Sequence, residues 1–486
     1  MQLGFEHSYS ALPDRFHARL APTRVSAPRL VVFNAPLARE LGLDPQALEP
    51  QAAELFSGNR LPDDAQPLAM AYAGHQFGNF VPQLGDGRAI LLGEIRDRAG
   101  TLRDVQLKGS GLTPFSRSAD GRAAIGPMLR EYLVSESMHA LGIPTTRSLA
   151  VVSTGDTVRR EEPLPGAILT RIAASHIRVG TFEFFAARGD EDGVRALLDY
   201  VIERHYPEAR SAANPALEVL RQVTERQTRL IAQWMGVGFI HGVMNTDNMT
   251  LSGETIDYGP CAFLDDYDPS AVFSSIDRRG RYAFGRQPAI AQWNLARLAE
   301  TLVPSIAAAT DEGVRLATEV VEPIVDRFDA LYLATLRSKC GFAGGDDGDI
   351  ALIKTLLDTM RAGRVDFTLA FRRLSDVVRG DQARFRSLFP SESAVDEWLP
   401  TYLERLSREA STEARADAMD AVNPIYIPRN HRVEAALSAA TERGDYTPFL
   451  ELLSIVQQPF VERPEGAGYE TPPGEGERVL ATFCGT

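Results

Sequence analysis

The sequence is poor in cysteine. Its 486 residues include only three, Cys261, Cys340 and Cys484. Three scattered cysteines are too few for a zinc cluster or for a framework of disulfides. We therefore interpret them as free thiols, as is usual in a reducing compartment. Cys484 is notable for its place, because it is the third residue from the end of the sequence.

Positive charge and long apolar runs are also scarce. Lys and Arg total 51 against 65 Asp and Glu, which gives a formal net charge of −14 at pH 7. This acidic balance disfavours the extended phosphate contacts that nucleic-acid binding requires. No stretch reaches the roughly 18 uncharged apolar residues of a membrane helix, and the amino terminus lacks the apolar run of a signal peptide. We expect a soluble, cytoplasmic protein whose partners are neither nucleic acids nor membranes.

What the sequence does have is enough apolar residues, 44%, to bury a large core. Residues 89–95 and 104–108 are short runs flanked by Gly and Asp, which is typical of neighbouring strands. Residues 126–141 have apolar side chains at helical spacing, and the later part of the chain is mainly helical in pattern. We predict an α+β fold with a strand-rich amino-terminal lobe, a helical carboxy-terminal lobe and a ligand cleft between them.

A tight turn before the first of these strands suits a phosphate. Gly85 and Gly87 bracket the turn and Arg88 follows it. Glycines let backbone N–H groups approach a phosphate, and an adjacent guanidinium can pair with it. The same fragment, taken alone, also fits an ordinary Asp-Gly hairpin.

The second of these strands ends in a lysine that suits a kinase-like site. Lys108 stands there in the manner of the kinase strand lysine, which pairs nucleotide phosphates and a helix glutamate. The next helix offers two carboxylates, Glu131 and Glu136, which lie on different faces because they are five residues apart. We expect Glu131 to be the partner of Lys108 and Glu136 to lie on the surface.

Two further segments offer cations and glycine to an anionic ligand. A loop rich in Gly, Ser and Arg separates Lys108 from the helix, and the later segment "TRIAASHIRVG" supplies a pair of arginines. Such arginines can clamp a phosphate or form surface salt bridges, and both interpretations stay open. The residues concerned are Arg117, Asp120, Gly121 and Arg122 in the loop, and Arg171 and Arg178 as the pair.

The segment "HGVMNTDN", residues 241–248, resembles a kinase catalytic loop without its catalytic Asp. His241 and Asn248 stand at the kinase spacing, but Val243 occupies the position of the base. Asp257 follows in "DYG", and an amide oxygen with a carboxylate suits a divalent ion that bridges phosphates. Asp247 is the only carboxylate within the loop. It either replaces the missing base or accepts hydrogen bonds from loop amides.

With these motifs in this order, the sequence resembles the SelO (YdiU) family of pseudokinase-fold protein adenylyltransferases. The segments that carry the resemblance include "AYAGHQFGNFVPQLGDGRA", "LKGSGLTPFSRSADGRA", "HGVMNTDNMTLSGETIDYGPCAFLD" and "FCGT". Long motifs in one order are far more specific than a single Gly-rich loop. The resemblance implies a kinase-like fold that holds ATP in a reversed orientation and transfers AMP to Ser, Thr or Tyr hydroxyls of proteins, self-modification included. UTP in place of ATP, and Mn²⁺ in place of Mg²⁺, are implied alternatives.

The resemblance also implies roles for individual residues. A reversed nucleotide would explain Val243, since an Asp there would be in the wrong place for an attack on the α-phosphate. By the family pattern Asp247 accepts the proton, and Asn248 and Asp257 hold the divalent ion. The implied nucleotide-binding residues are Gly85, Gly87, Arg88, Lys108, Asp120, Gly121, Arg171 and Arg178.

The family pattern further suggests a redox pair and a division of the chain. Cys484 occupies the family's cysteine or selenocysteine position, and we hypothesise a disulfide between Cys484 and Cys261. We expect an extension over 1–60, the strand-rich lobe over 61–175, the helical lobe over 176–430 and a redox-candidate tail over 431–486.

Two other functions compete with this one. A phosphotransferase that resembles the aminoglycoside kinases would share the His-Gly start of the loop, but Val243 argues against it, since loss of a general base commonly costs on the order of 10²- to 10⁴-fold. A catalytically inactive pseudokinase scaffold would have no need of Lys108 together with two metal ligands. Transfer of phosphate would support the phosphotransferase, and absence of any transfer would support the scaffold.

Overall fold

A computed structural model describes residues 1–408 and 413–483 and has a mixed α/β architecture. The strands are β1 (His17–Arg19), β2 (Arg29–Phe33), β3 (Leu68–Met70), β4 (Gly74–Gln76), β5 (Asn79–Val81), β6 (Ala89–Arg96), β7 (Leu102–Lys108), β8 (Arg147–Arg159), β9 (Pro163–Ala173), β10 (Phe239–Ile240) and β11 (Ala262–Phe263). Seven of them form one antiparallel sheet in the order β1-β3-β6-β7-β9-β8-β2. The pairs β4-β5 and β10-β11 form two small sheets.

The α-helices surround the sheet and continue the chain beyond it. They are α1 (Ala35–Glu40), α2 (Pro45–Leu48), α3 (Ala52–Phe56), α4 (Ile125–Ala140), α5 (Val179–Ala186), α6 (Glu191–His205), α7 (Pro215–Gly236), α8 (Gln287–Ile306), α9 (Thr310–Val321), α10 (Ile324–Lys339), α11 (Asp349–Gly363), α12 (Phe367–Val378), α13 (Ala383–Arg386), α14 (Trp398–Ser407), α15 (Glu413–Asp420), α16 (Asn430–Arg443) and α17 (Thr447–Val456). Among the described residues, no helix combines the length and apolar character needed to cross a bilayer.

The centre of the large sheet positions the residues discussed below. In β6, every residue from Ala89 to Ile95 is buried, because both faces of the sheet are covered. β7 pairs with β9 so that Gln106 lies opposite Arg171, and Lys108 opposite Leu169. Side chains on a strand alternate between faces. Gln106, Lys108 and Arg171 therefore point to the same side of the sheet.

The local predictions of strands and of the first long helix are confirmed. β6 and β7 cover the expected runs, and α4 begins and ends within one residue of the predicted 126–141. The predicted mixture of a strand-rich half and a helix-rich half is confirmed as a large antiparallel sheet followed by helices.

The surface position expected for Glu136 is wrong. The residue is 2% exposed, because α4 packs against β8 and β9 on one side and against α16 and α17 on the other. Its carboxylate accepts hydrogen bonds from Arg147 Nε and Nη2, both at 2.9 Å, and from Asn34 Nδ2 at 2.8 Å. Asn34 lies 102 positions away and Arg147 lies on the strand after the helix, so the helical pattern alone could not indicate these partners.

Candidate active site

A cavity of about 1000 Å³ opens between the central strands and the segment that contains residues 243–260. Its volume is at the upper end of the range for small-molecule sites. It is lined by all eight residues expected to bind nucleotide, by Val243, Asp247, Asn248 and Asp257, and by Arg117 and Arg122. The fold thus brings into one cavity residues that lie up to 172 positions apart, from Gly85 to Asp257.

The turn that contains Gly85 and Gly87 is packed tightly against the loop that ends in Phe115. Gly85 has φ +75°, and a Cβ there would lie 2.3 Å from Cγ of Phe115. The N–H groups of Asp86 and Gly87 donate to the carbonyls of Met70 and Gly85 at 2.9 and 2.8 Å. These amides are therefore occupied within the protein, and the glycines serve the close packing of the turn as well as lining the cavity.

Three cations converge on two carboxylates at the floor of the cavity. Lys108 Nζ lies 2.6 Å from Glu131 Oε2 and 2.8 Å from Asp257 Oδ1. Arg171 donates to Glu131 Oε1 through Nε at 2.7 Å and to Asp257 Oδ1 through Nη2 at 2.6 Å. Arg178 Nη1 approaches Asp257 Oδ2 at 3.3 Å. The result is a cluster of five charged groups, three positive and two negative.

The ion pairs determine the protonation of this cluster. Burial acts to raise the pKa of Asp257, but Arg171, Lys108 and Arg178 together hold that pKa well below its usual range. The pKa of Glu131 is likewise lowered, because Arg171 and Lys108 outweigh the effect of burial. Both carboxylates are therefore ionised at neutral pH.

Arg178 connects the cluster to the loop that contains Asp247. It stands at the amino-terminal end of α5, and its guanidinium lies over the ring of Tyr72 at 4.4 Å from the ring centroid. Its Nη1 also donates to the backbone carbonyl of Asp247 at 2.9 Å. One guanidinium thus contacts both Asp257 and the backbone of the 3-10 turn Thr246–Asn248.

Asp247 is a buried carboxylate with one unsatisfied oxygen. Gln76 Nε2 donates to Oδ2 at 3.3 Å, whereas Oδ1 has no hydrogen-bond partner among the described residues. Burial raises the pKa of Asp247 to about 7, although Arg178 and Gln76 act to lower it. Of the two interpretations of Asp247, acceptance of hydrogen bonds from nearby loop amides does not account for an unpaired Oδ1.

The neighbours of Asp247 in the loop are oriented by local bonds. Asn248 Nδ2 donates to the carbonyl of Val243 at 3.0 Å, which leaves its amide oxygen for another partner. His241 is fully buried, and its Nε2 contacts the carbonyl of Ile256 at 2.9 Å. This contact ties the start of the loop to the residue before Asp257.

The loop between Lys108 and α4 closes one side of the cavity. Asp120 is exposed, and its carboxylate pairs with Arg160 at 2.9 Å and caps the N–H of Arg122 at 2.9 Å. Gly121 has φ +68°, and a Cβ there would lie 2.2 Å from the carbonyl of Gly111. The glycine is required at this close approach of two loop backbones.

The short β4-β5 hairpin was missed as a functional element. Besides the bond from Gln76 to Asp247, it places Gly74 so close to the loop that a Cβ there would lie 2.6 Å from Asp247 Oδ1. Phe77, with φ +52°, donates its N–H to Asn245 Oδ1 at 3.1 Å. The signal was the "GHQFGN" pattern of a glycine-flanked hairpin within a family-like segment.

Asp86 is a second cavity residue that the sequence did not single out. It is buried, and its Oδ2 accepts from the N–H of Met70 at 3.0 Å and from Gln106 Nε2 at 3.2 Å. Burial raises the pKa of Asp86 to about 6 despite the attraction of Arg178.

Of the two cysteines in the proposed redox pair, only Cys261 lies among the described residues. Cys261 is a buried free thiol whose pKa is raised to about 12 by burial. Cys484 lies outside the described residues, so the disulfide stays a prediction. The nearby described residue Thr482 donates its hydroxyl to the carbonyl of Pro260, the residue before Cys261, at 2.7 Å.

Comparison with known proteins identifies the family to which the chain belongs. Residues 1–457 match the family model described as protein adenylyltransferase SelO. The chain belongs to this family. It is 60% identical over 486 residues to a protein of Rhizobium leguminosarum bv. trifolii and 59% identical to one of Rhodopseudomonas palustris, and both are named protein nucleotidyltransferase YdiU. The alignments cover 99% of this chain and 97% and 99% of those relatives.

Proposed function

We propose that this chain is a protein adenylyltransferase that transfers AMP from ATP to Ser, Thr or Tyr hydroxyls of proteins. One observation carries the proposal: the cavity that collects three buried cations also contains Asp247, a carboxylate with an unpaired oxygen, whereas position 243 is occupied by Val. A base at 247 instead of 243 favours attack at a phosphate other than the one an ordinary kinase transfers. Membership of the SelO family supports the same reaction.

The proposal extends to the architecture. The seven-stranded sheet with α4 would form the amino-terminal lobe of a kinase-like fold, and the helices from α5 onward the carboxy-terminal lobe. The boundaries that we propose are 1–60 for an extension, 61–175 and 176–430 for the lobes, and 431–486 for the tail. The extension would be integrated with the first lobe, because β1 and β2 are the two edge strands of its sheet.

The nucleotide would be bound through its phosphates at the floor of the cavity. Lys108, Arg171 and Arg178 would contact them, since these cations are buried and face the cavity. Guanidinium groups suit phosphate oxygens because their N–H groups form a planar fork. Gly85, Gly87, Arg88, Asp120 and Gly121 would enclose the remainder of the nucleotide.

Asn248 and Asp257 fit a divalent cation. Both residues line the cavity and carry hard oxygen donors, and the bond from Asn248 Nδ2 to the Val243 carbonyl leaves the amide oxygen for another partner. Two protein ligands are typical of Mg²⁺ that is shared with phosphates, and Mn²⁺ accepts the same donors. Such an ion, when bound, neutralises charge on the phosphates.

For the transfer itself, the protein would have to position the nucleotide and the acceptor hydroxyl and supply a general base. The acceptor hydroxyl oxygen forms a bond to the α-phosphorus while the bond from that phosphorus to the pyrophosphate oxygen breaks. The hydroxyl proton passes to the carboxylate of Asp247, and pyrophosphate leaves with the electron pair. Arg178 would hold the backbone of Asp247 and a phosphate at the same time.

Label transfer from ATP tests the proposal. The purified chain would be incubated with Mg²⁺ or Mn²⁺, a lysate as acceptor and ATP labelled at the α- or the γ-phosphate, with labelled UTP in parallel. Only the α label should appear on protein, and Asp247→Asn should reduce it on the order of 10²-fold or more. Asp199→Asn is the matched control, because Asp199 is exposed. Transfer of the γ label would support a phosphotransferase, and nucleotide binding without transfer would support a scaffold.

A further inference from the structure

We infer that Asp257 occupies the place of a nucleotide phosphate in the free protein, so that the nucleotide binds before the divalent ion and creates the ion's site. The inference rests on the proposed function, because it concerns the same cavity. In the free protein Asp257 keeps the phosphate-binding cations in position through ion pairs. When the nucleotide binds, its phosphates replace the carboxylate as the partner of these cations. Asp257 is then free to bind metal.

The contacts of Asp257 provide the first argument. Its Oδ1 accepts from Lys108 and from Arg171 at 2.8 and 2.6 Å, and its Oδ2 faces Arg178 at 3.3 Å. Both carboxylate oxygens are therefore engaged by cations. A divalent ion that approached this carboxylate would meet three positive charges within the same cluster.

The charge of the cavity provides the second argument. Eight Lys and Arg side chains and four Asp side chains line it, and Glu131 is paired with two of these cations, so the net charge is 8 − 5 = +3 when all groups are ionised. A divalent ion would raise this sum to +5, whereas a triphosphate would lower it. The protein alone thus attracts the nucleotide and repels the ion.

The backbone and Glu131 explain why the cations, and not Asp257, would move. Asp257 has φ +62°, an uncommon conformation for a residue other than Gly, and the next residue, Tyr258, is fully buried. The backbone that carries this carboxylate is therefore restricted. The ammonium group of Lys108 is carried by a flexible side chain. Both Lys108 and Arg171 can keep their bonds to Glu131 when they move away from Asp257.

Binding measurements on the full chain test the inference. The probes are Mn²⁺ alone, followed by its electron paramagnetic resonance signal, and α,β-methylene-ATP, followed by equilibrium dialysis in EDTA. The chain should bind the analogue without metal and should not bind Mn²⁺ at up to millimolar concentration without nucleotide. Since coupling between two ligands is reciprocal, metal should then tighten analogue binding on the order of 10- to 100-fold.

A substitution separates this role of Asp257 from that of a simple ligand. Asp257→Asn removes the competing charge, so it should bind the analogue in EDTA on the order of tenfold more tightly than the wild type. Asp199→Asn is the control, and it should leave this affinity unchanged, because Asp199 is exposed and is not among the residues that line the cavity.

The outcomes are distinct. Analogue binding only in the presence of metal, a Mn²⁺ site in the nucleotide-free chain, or unchanged metal-free affinity in folded Asp257→Asn would each overturn the inference while leaving the proposed transfer intact. The first two measurements use the wild-type chain, so they decide the matter even if the variant does not fold. Absence of nucleotide binding under every condition would overturn the proposed function and the inference with it.

Discussion

Replacing Asp86 with Asn should stabilise the protein at pH 8 and should do so less at pH 5. Asp86 is buried in the cavity wall, where its Oδ2 accepts hydrogen bonds from the N–H of Met70 and from Gln106. No ion pair to its carboxylate occurs among the described contacts, so the charge is only indirectly compensated. The amide oxygen of Asn can accept both bonds, and its nitrogen can face the cavity, which Asp86 lines.

The magnitude follows from the pKa of Asp86, which burial raises from 3.8 to about 6. Each pKa unit corresponds to about 1.4 kcal/mol, so ionised Asp86 costs the folded state about 3 kcal/mol at pH 8. Because the pKa is higher in the folded state, the folded protein binds more protons between pH 4 and 6, and stability falls as pH rises through this window. The advantage of Asn should therefore be about 1.5 kcal/mol larger at pH 8 than at pH 5.

Urea unfolding at pH 5, 6.5 and 8 would measure this difference, with Asp199→Asn as the control at an exposed site. The control should change stability by less than about 0.5 kcal/mol at every pH. An Asp86→Asn protein that is less stable than the wild type at pH 8, or an effect that does not vary with pH, would refute the reasoning. The expected gain would mean that the charge is retained at a stability cost, which is typical of functional sites.

Three further changes test the site and the tail. Glu131→Gln leaves two buried cations short of one partner, so urea unfolding should find a loss of about 3 kcal/mol. Gly74→Ala should lower AMP transfer on the order of 10- to 100-fold and should lower the free energy of unfolding by about 1–3 kcal/mol, because the new methyl overlaps the buried side chain of Asp247. Oxidation of the chain by oxidised glutathione should produce a Cys261–Cys484 peptide in non-reducing mapping, and its absence at full oxidation would contradict the pairing.

The sequence predicts those parts of the fold that depend on local pattern. β6 and β7 were predictable as short runs flanked by Gly and Asp, and α4 because its apolar residues recur at helical spacing. The edge strands β1 and β2 were not, because they are short and are stabilised by partners far along the chain. Strand pairing over such distances leaves no local signal.

The same distinction applies to the site. The pairing of Lys108 with Glu131 was expected from the order of the motifs, and the two side chains are in contact. Gln76 was missed because its relation to Asp247 spans 171 positions and exists only once the hairpin has packed on the loop. Glu136 was misplaced because helical spacing does not reveal that α4 is covered on two sides. Arg117 and Arg122 line the cavity, but nothing in the sequence distinguishes them from surface arginines.

The last prediction concerns Val243→Asp, which restores the residue that an ordinary kinase has in this loop. Val243 lines the cavity, and its carbonyl accepts a bond from Asn248, a backbone contact that the substitution preserves. If the γ-phosphate were the electrophile, the new carboxylate would supply the missing base and γ-label transfer should rise by up to about 10²-fold. If the α-phosphate is the electrophile, the added charge only disturbs the cavity. We expect no γ-label transfer and a reduced α-label transfer, with folding verified by urea unfolding. A rise of γ-label transfer above the wild-type background would mean that the nucleotide is oriented as in an ordinary kinase.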